Sequence, residues 1–123
     1  MYKRQVPIVE PEVLMDGDHS AKECLEKTSE VIKKCFEELI IHKVDLKGII
    51  LKPNMILAGN KSKEKITNEE VAKLTLECLK SSVPSEVPGI AFLSGGQSEI
   101  EATENLNLIN KHNNTSSIIV FIN

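Results

Sequence analysis

The stretch Gly48-Ile49-Ile50-Leu51-Lys52 is a short apolar run that begins with a glycine and ends with a charged residue. An uninterrupted apolar run of this length is typical of a strand in a parallel sheet, because such a strand is buried on both faces. Three further apolar runs of similar length lie at residues 6–10, 89–93 and 117–122. The sequence therefore predicts four strands, with a longer segment between each strand and the next.

The segments between the strands have the periodicity of amphipathic helices. In the first segment, apolar or small side chains at steps of three and four residues mark one helix face: Ala21, Cys24, Leu25, Thr28, Val31, Ile32, Cys35, Phe36 and Leu39. Shorter stripes mark the other two segments: Val71, Leu74, Thr75, Cys78 and Leu79, then Ala102, Leu106 and Ile109. A Ser/Thr-x-x-Glu capping box predicts the start of each helix, at Ser20, Thr67 and Ser98. The alternation predicts an α/β fold with parallel strands in the order β-α-β-α-β-α-β.

The composition is that of one globular domain over residues 1–123. Of the 123 residues, 41% are hydrophobic, and 15 basic against 18 acidic residues give a net charge of −3. No apolar run approaches the about 20 residues of a membrane helix, and no secretory leader is recognisable. The acidic balance and the four aromatic residues argue against nucleic acid as a partner. We therefore expect no membrane and no nucleic-acid partner, and interpret Lys61, Lys63 and Lys65 as a solvated loop.

The three cysteines, Cys24, Cys35 and Cys78, form neither a CxxC motif nor a Cys/His cluster. This pattern predicts no disulfide framework and no zinc site, and it fits a reducing cytoplasm. Cys24 and Cys35 lie eleven residues apart, which is about three helical turns, so we expect both to pack against the sheet as small apolar side chains. The three histidines are far apart along the chain, and none is predicted to bind a metal.

Three polar residues lie where predicted strands end: Glu10 closes the first, Lys52 closes the second and Ser94 follows the third. The carboxyl ends of parallel strands meet at one edge of the sheet, where α/β proteins collect their ligands. We therefore expect these side chains to face one another.

Lys52 ends an apolar strand with no acidic residue nearby in the sequence. Desolvation lowers the pKa of a lysine, and a partly neutral lysine attacks carbonyl groups to form a Schiff base. The alternative is a lysine whose apolar stem is buried and whose ammonium reaches water.

Glu10 and Glu12 lie two residues apart, so in an extended chain they point to the same side. In a closed cleft, mutual repulsion raises the pKa of one carboxyl group and suits it to proton transfer near neutral pH. The alternative is a pair of exposed loop acids.

The stretch Ser94-Gly95-Gly96-Gln97-Ser98-Glu99 connects a strand to a capped helix. Its amides and the positive end of the helix dipole suit an anion, and we expect a phosphate group there, although a plain tight turn is equally compatible. Asp16-Gly17-Asp18-His19 lacks the later acidic ligands of a calcium loop, so we interpret it as a turn that leads into the first helix.

Three of these stretches together resemble the class I fructose-bisphosphate aldolase family: Val6-Pro7-Ile8-Val9-Glu10-Pro11-Glu12, Leu51-Lys52-Pro53-Asn54-Met55 and Phe92-Leu93-Ser94-Gly95-Gly96-Gln97-Ser98-Glu99. The resemblance runs from about residue 6 to residue 111. It implies a (β/α)₈ barrel that reversibly cleaves fructose 1,6-bisphosphate in glycolysis, to dihydroxyacetone phosphate and glyceraldehyde 3-phosphate, without a metal or other cofactor. It also implies that Lys52 forms the Schiff base, that Glu10 is the principal proton-transfer residue, that Glu12 assists dehydration, and that Ser94, Gly95 and Gly96 hold a substrate phosphate.

A complete barrel of this kind needs about 250 residues, so the resemblance implies a carboxyl-side half of the barrel. The family's early active-site strands and its later Ser-Tyr-Gly-Arg type segment have no counterpart here. A half-barrel has unpaired edge strands, and we therefore expect a homo-oligomer or association with another half-barrel. The alternatives to an enzyme are a non-catalytic half-barrel that binds sugar phosphates or serves assembly, and a truncated product.

Overall fold

Strands and helices alternate along the chain in the order that the sequence predicts. The computed structural model describes residues 5–114 and 118–121. The elements are β1 (Ile8–Val9), α1 (Ala21–Ile41), β2 (Ile50–Leu51), α2 (Asn68–Ser82), β3 (Gly89–Phe92), α3 (Glu99–His112) and β4 (Ile118–Phe121), with one short 3₁₀ turn at Leu46–Gly48.

The four strands form one parallel sheet in the order β1-β2-β3-β4. In the pairing register, Ile8 lies opposite Ile50, Leu51 opposite Ile90, and Phe92 opposite Phe121. Each strand thus pairs with its neighbour in sequence, with a helix in each connection. This is the arrangement of consecutive strands in a (β/α)₈ barrel, and it confirms the predicted α/β fold with part of such a barrel.

Three strands are shorter than predicted. β1 covers residues 8–9 rather than 6–10, between Pro7 and Pro11, which have no amide hydrogen for the sheet. β2 covers residues 50–51 rather than 48–52, because Asp45 caps the 3₁₀ turn that ends at Gly48 and a proline follows Lys52. The third strand stops one residue early, at Phe92. The predicted ends of the fourth strand, residues 117 and 122, lie outside the described residues.

All three helices begin with the predicted capping box. In α1, the Ser20 hydroxyl accepts a hydrogen bond from the Glu23 amide at 3.1 Å, and the Glu23 carboxylate accepts one from the Ser20 amide at 2.7 Å. Thr67 with Glu70 and Ser98 with Glu101 form the same reciprocal pair. These contacts satisfy amides that the helix itself leaves free and set the direction in which each helix leaves the sheet edge.

The core lies between the sheet and its helices, where α1 packs on α2 and α2 on α3. Its largest fully buried side chains include Phe92, Ile32, Leu51, Met55 and Ile109. The prediction that Val31 and Cys35 belong to the buried face of α1 is wrong. Both residues lie at the edge of that face, which is centred on Thr28 and Ile32. Val31 is 36% exposed and Cys35 is only half-buried.

The three cysteines therefore differ in their accessibility. Cys24 and Cys78 are buried, and the Ser29 hydroxyl donates a hydrogen bond to the Cys78 sulfur at 3.3 Å. Burial raises the pKa of the Cys78 thiol above its ordinary value, which lowers its thiolate fraction at pH 8.

We expect iodoacetamide at pH 8 to alkylate Cys35 more than about tenfold faster than Cys24 or Cys78, because thiolate content and access control this reaction. Peptide mass spectrometry measures the three rates, and a parallel reaction in urea serves as the control in which the rates converge. Equal rates in the folded protein would contradict this packing.

Candidate active site

One cleft at the carboxyl edge of the sheet contains all six residues predicted for the site. Its walls include Glu10, Glu12, Lys52 and the segment Ser94-Gly95-Gly96. These residues follow β1, β2 and β3, so the parallel register brings together side chains that are more than forty positions apart in sequence. Leu14, Met15, Asp16, Asn60 and Leu93 complete the walls.

Lys52 lies close to Glu10, with its Nζ atom 3.5 Å from Glu10 Oε1. Glu10 and Lys52 thus face each other as expected, and Glu10 supplies the carboxylate that the sequence around Lys52 lacks. The two strand ends are held side by side because the Lys52 amide donates a hydrogen bond of 2.7 Å to the Val9 carbonyl. The Lys52 side chain is 17% exposed and that of Glu10 is 48% exposed, so the pair lies at the cleft surface with the amine turned inward. At this distance the two side chains form an ion pair.

Asn54 is a buried residue that the sequence analysis missed. Its Oδ1 accepts a hydrogen bond from the Val13 amide at 3.0 Å, and its Nδ2 donates to Thr28 Oγ1 at 3.1 Å. It thereby ties the segment that carries Glu12 to helix α1 and to the strand end that carries Lys52. The signal in the sequence was a polar residue within the apolar run that follows Lys52. A side-chain amide buried in such a run is nearly always hydrogen-bonded, so this position indicated a structural link.

The segment Ser94-Gly95-Gly96 forms a tight turn that requires glycine. Gly95 and Gly96 have φ values of 58° and 87°, which side chains with a Cβ rarely adopt. The Gln97 amide closes the turn with a hydrogen bond of 3.1 Å to the Ser94 carbonyl, and α3 begins directly afterwards. The structure thus combines a glycine turn with a helix N-terminus at the cleft, an arrangement that suits anions.

The cleft wall also depends on two connecting loops that are hydrogen-bonded to each other. Three backbone amides of the second loop donate hydrogen bonds to carbonyl oxygens of the first. The bonds are Asn60 N to Met15 O at 2.8 Å, Lys61 N to Gly17 O at 2.8 Å and Gly59 N to His19 O at 2.9 Å. The Asp16-Gly17-Asp18-His19 stretch therefore forms the expected turn before α1. The pairing holds Asp16 and Asn60 at the cleft.

Close approach of these loops requires glycine at position 59, since a Cβ there would lie 2.3 Å from the Gly17 carbonyl oxygen. We expect Gly59→Ala to lower the free energy of unfolding by about 1–3 kcal/mol, because the backbone must move apart. Urea denaturation measures this change. Gly48→Ala is the matched control. Its Cβ would lie 3.9 Å from Asp45 Oδ2, which is an ordinary van der Waals contact. Equal stabilities for the two variants would contradict the close approach.

A second and larger cleft runs along α2 on the outer helical face, with Glu69, Lys73 and His112 in its walls. His112 Nε2 lies 3.4 Å from Glu69 Oε2, so these groups pair with each other. None of the predicted site residues contributes to this cleft, and the candidate site remains at the sheet edge.

Within the described ranges, no three His, Cys, Asp or Glu side chains are arranged to hold a metal ion. Among the helices of the same ranges, none has the length and apolar character needed to cross a membrane.

Comparison with known proteins matches the chain to one family over nearly its whole length. The family model described as fructose-bisphosphate aldolase class-I matches residues 2–121. Fructose-bisphosphate aldolase C of Carassius auratus is 51% identical over 105 residues, which are 85% of this chain and 29% of that protein. Cytosolic fructose-bisphosphate aldolase 4 of Arabidopsis thaliana is 50% identical over 106 residues, or 27% of its length.

A solved structure of fructose-bisphosphate aldolase from Plasmodium falciparum, in complex with TRAP and a small-molecule inhibitor, matches with a TM-score of 0.93 and 46% identity. The match covers 96% of this chain and 34% of that one. The chain thus spans less than a third of the length of the curated relatives just named.

Proposed function

The chain belongs to the class-I fructose-bisphosphate aldolase family, and from that premise we propose that its sheet-edge cleft performs Schiff-base chemistry on a phosphorylated ketose. The reaction is the reversible cleavage of fructose 1,6-bisphosphate to dihydroxyacetone phosphate and glyceraldehyde 3-phosphate. The observation that carries this proposal is the contact of 3.5 Å between Lys52 Nζ and Glu10 Oε1, in the same cleft as the Ser94-Gly95-Gly96 turn.

Lys52 is the nucleophile of the proposed reaction. The ammonium loses a proton to Glu10, and the free amine attacks the C2 carbonyl carbon of the ketose to form a carbinolamine. The proton that Glu10 took from Lys52 passes to the carbinolamine hydroxyl, with Glu12 assisting, so that water leaves and an iminium ion remains on Lys52. This transfer returns Glu10 to its carboxylate form. The C2 carbon then accepts electrons far more readily than the original ketone.

Glu10 is the proton-transfer residue of the cleavage step. A carboxylate removes the proton of the C4 hydroxyl, the C3–C4 bond breaks, and its electron pair moves into the iminium to give an enamine. Glyceraldehyde 3-phosphate leaves as the aldehyde. Protonation of the enamine at C3 and hydrolysis of the resulting iminium release dihydroxyacetone phosphate and regenerate the lysine.

The Ser94-Gly95-Gly96 turn holds a phosphate group of the ketose in this proposal. Backbone amides at a helix N-terminus bind phosphate without adding a mobile charge to the site. The bound phosphate fixes the carbonyl carbon beside Lys52, since Ser94 and Lys52 line the same cleft.

The proposal extends to assembly and location. Val6 is 61% exposed and Ile8 is 49% exposed at the β1 edge of the sheet. An apolar sheet edge favours pairing with a further strand, either from a second copy of the chain or from another half-barrel. A cytoplasmic location is proposed by analogy with the cytosolic relative from Arabidopsis thaliana.

Deuterium exchange at the hydroxymethyl carbon of dihydroxyacetone phosphate tests the proposal, because exchange there requires both the iminium and a base. We expect the 123-residue chain in heavy water to catalyse this exchange, as measured by proton NMR, and Lys52→Met to abolish it. Lys63→Met, at an exposed loop lysine, is the matched control and retains the exchange.

A second candidate function is a sugar-phosphate-binding module without catalysis. The Ser94-Gly95-Gly96 turn before α3 favours it, because an anion site of this kind does not require a reactive lysine. Phosphate binding without exchange by the folded chain would support this second function and contradict the first.

A further inference from the structure

A chain of side-chain hydrogen bonds leads from the glycine turn into the core. Gln97 Nε2 donates to the Ser94 carbonyl at 3.0 Å, and Asn105 Nδ2 donates to Gln97 Oε1 at 2.7 Å. A carbonyl only accepts hydrogen bonds, so it fixes which end of the Gln97 amide faces the turn. That choice in turn fixes the orientation of Asn105. The whole network therefore has one direction, from Asn105 to Ser94.

Packing stability alone does not explain Asn105. The residue is 1% exposed on the inner face of α3, between Ala102 and Ile109, yet its Oδ1 is buried and has no hydrogen-bond partner within the described part of the chain. A buried polar atom without a partner costs free energy that an apolar side chain of similar size avoids. What Asn105 does supply is the donor that holds Gln97.

The network determines which groups of the turn face the cleft. The Ser94 carbonyl accepts two hydrogen bonds from Gln97, one from its amide at 3.1 Å and one from its side chain at 3.0 Å. Both lone pairs of this oxygen are thus engaged by hydrogen bonds within the protein. Within the described ranges the amides of Gly95 and Gly96 donate no hydrogen bond, so they are free to bind a ligand.

We infer that Gln97 and Asn105 are positioning residues for phosphate at the Ser94-Gly95-Gly96 turn. Gln97 restrains the Ser94 carbonyl so that the glycine amides point at the phosphate, and Asn105 holds Gln97 in place. The inference rests on the proposed function for its ligand class, a sugar phosphate. It adds two residues to the site, and neither touches the substrate.

Titration of the isotope-labelled chain with inorganic phosphate tests this inference by NMR, with the Gly95 and Gly96 amides as reporters. We expect Gln97→Met, which keeps the length of the side chain but removes its polar atoms, to weaken phosphate binding about fivefold, as loss of one net hydrogen bond predicts. Asn105→Leu acts in the same direction. The double variant is no weaker than Gln97→Met alone, because Asn105 acts through Gln97.

Thr103→Val is the matched control, because among the described residues the Thr103 hydroxyl bonds only to the Glu99 carbonyl, on the exposed side of α3. We expect it to bind phosphate as the unchanged chain does. Should Gln97→Met fail to fold, Asn105→Leu alone provides the test, since it removes the donor that holds Gln97 and adds no charge. No phosphate-dependent shift at Gly95 and Gly96, or equal affinity in Gln97→Met and Thr103→Val, would overturn the inference.

A comparison of two carbonyl compounds separates this inference from the proposed function. Borohydride trapping at Lys52 requires about fivefold more dihydroxyacetone phosphate in Gln97→Met, whereas trapping of unphosphorylated dihydroxyacetone is unchanged. An equal loss of trapping with both compounds would mean that Gln97 stabilises the structure and does not position the phosphate group. Phosphate binding that depends on Gln97 in a chain that forms no adduct would support this inference while contradicting the Schiff-base proposal.

Discussion

Replacing Glu10 with glutamine will slow deuterium exchange into dihydroxyacetone phosphate by about 100- to 1,000-fold. A borohydride-trapped adduct at Lys52 will still accumulate, although more slowly, because Lys52 must then lose its proton to water. General acid–base catalysis by one side chain typically contributes 10² to 10⁴ in rate, and the amide cannot accept a proton. The Lys52 amine remains in this variant. Glutamine has nearly the size of glutamate, so the substitution removes the base 3.5 Å from Lys52 Nζ without enlarging the cleft. Proton NMR measures the exchange, and peptide mass spectrometry measures the adduct.

Glu64→Gln is the control for this substitution, because Glu64 is an exposed acid of the loop before α2 and does not line the cleft. We expect its exchange rate to equal that of the unchanged chain. Exchange that persists in Glu10→Gln would show that another group, with Glu12 the nearest candidate along the chain, transfers the proton.

Replacing Phe92 with alanine will lower the free energy of unfolding by about 3–5 kcal/mol, the usual cost of removing a buried phenyl ring. Phe92 is fully buried on β3, and it is the largest of the fully buried side chains among the residues whose burial the structure describes. The segment Leu93-Ser94-Gly95-Gly96 follows it directly, so the same change will loosen the phosphate turn. Urea denaturation followed by circular dichroism measures the loss.

Ile100→Ala is the control for Phe92→Ala, because Ile100 is 72% exposed on α3. Its expected effect is within about 0.5 kcal/mol, as for other surface substitutions. Comparable losses in the two variants would mean that the core does not lie between β3 and its helices.

The elements of this fold could be predicted from the sequence because their signals are local. The three capping boxes fix the helix starts within a few residues, and the apolar runs locate the strands. Strand ends were predicted less well, since prolines and the 3₁₀ turn at Leu46–Gly48 replace sheet pairing there. The grouping of Glu10, Lys52 and Ser94 followed from one topological rule, that parallel strands share a carboxyl edge.

The contacts within the site could not be predicted, because they depend on distance in space. Nothing in the spacing of Glu10 and Lys52 indicates a separation of 3.5 Å, which results from the register of β1 with β2. The same holds for Asn54 and for the link from Asn105 to Gln97, since each joins a residue to atoms on another element or turn. Periodicity likewise identified the inner face of α1 but not its margin, where Cys35 lies.

The most direct test of the Schiff-base proposal is covalent trapping at Lys52. The folded chain is incubated with dihydroxyacetone phosphate, reduced with borohydride and mapped by peptide mass spectrometry. We predict a single reduced adduct at Lys52 that is absent from Lys52→Met and unchanged in Lys63→Met. A folded chain with no adduct, or with label spread equally over exposed lysines such as Lys61 and Lys63, would contradict the proposal that this cleft activates Lys52.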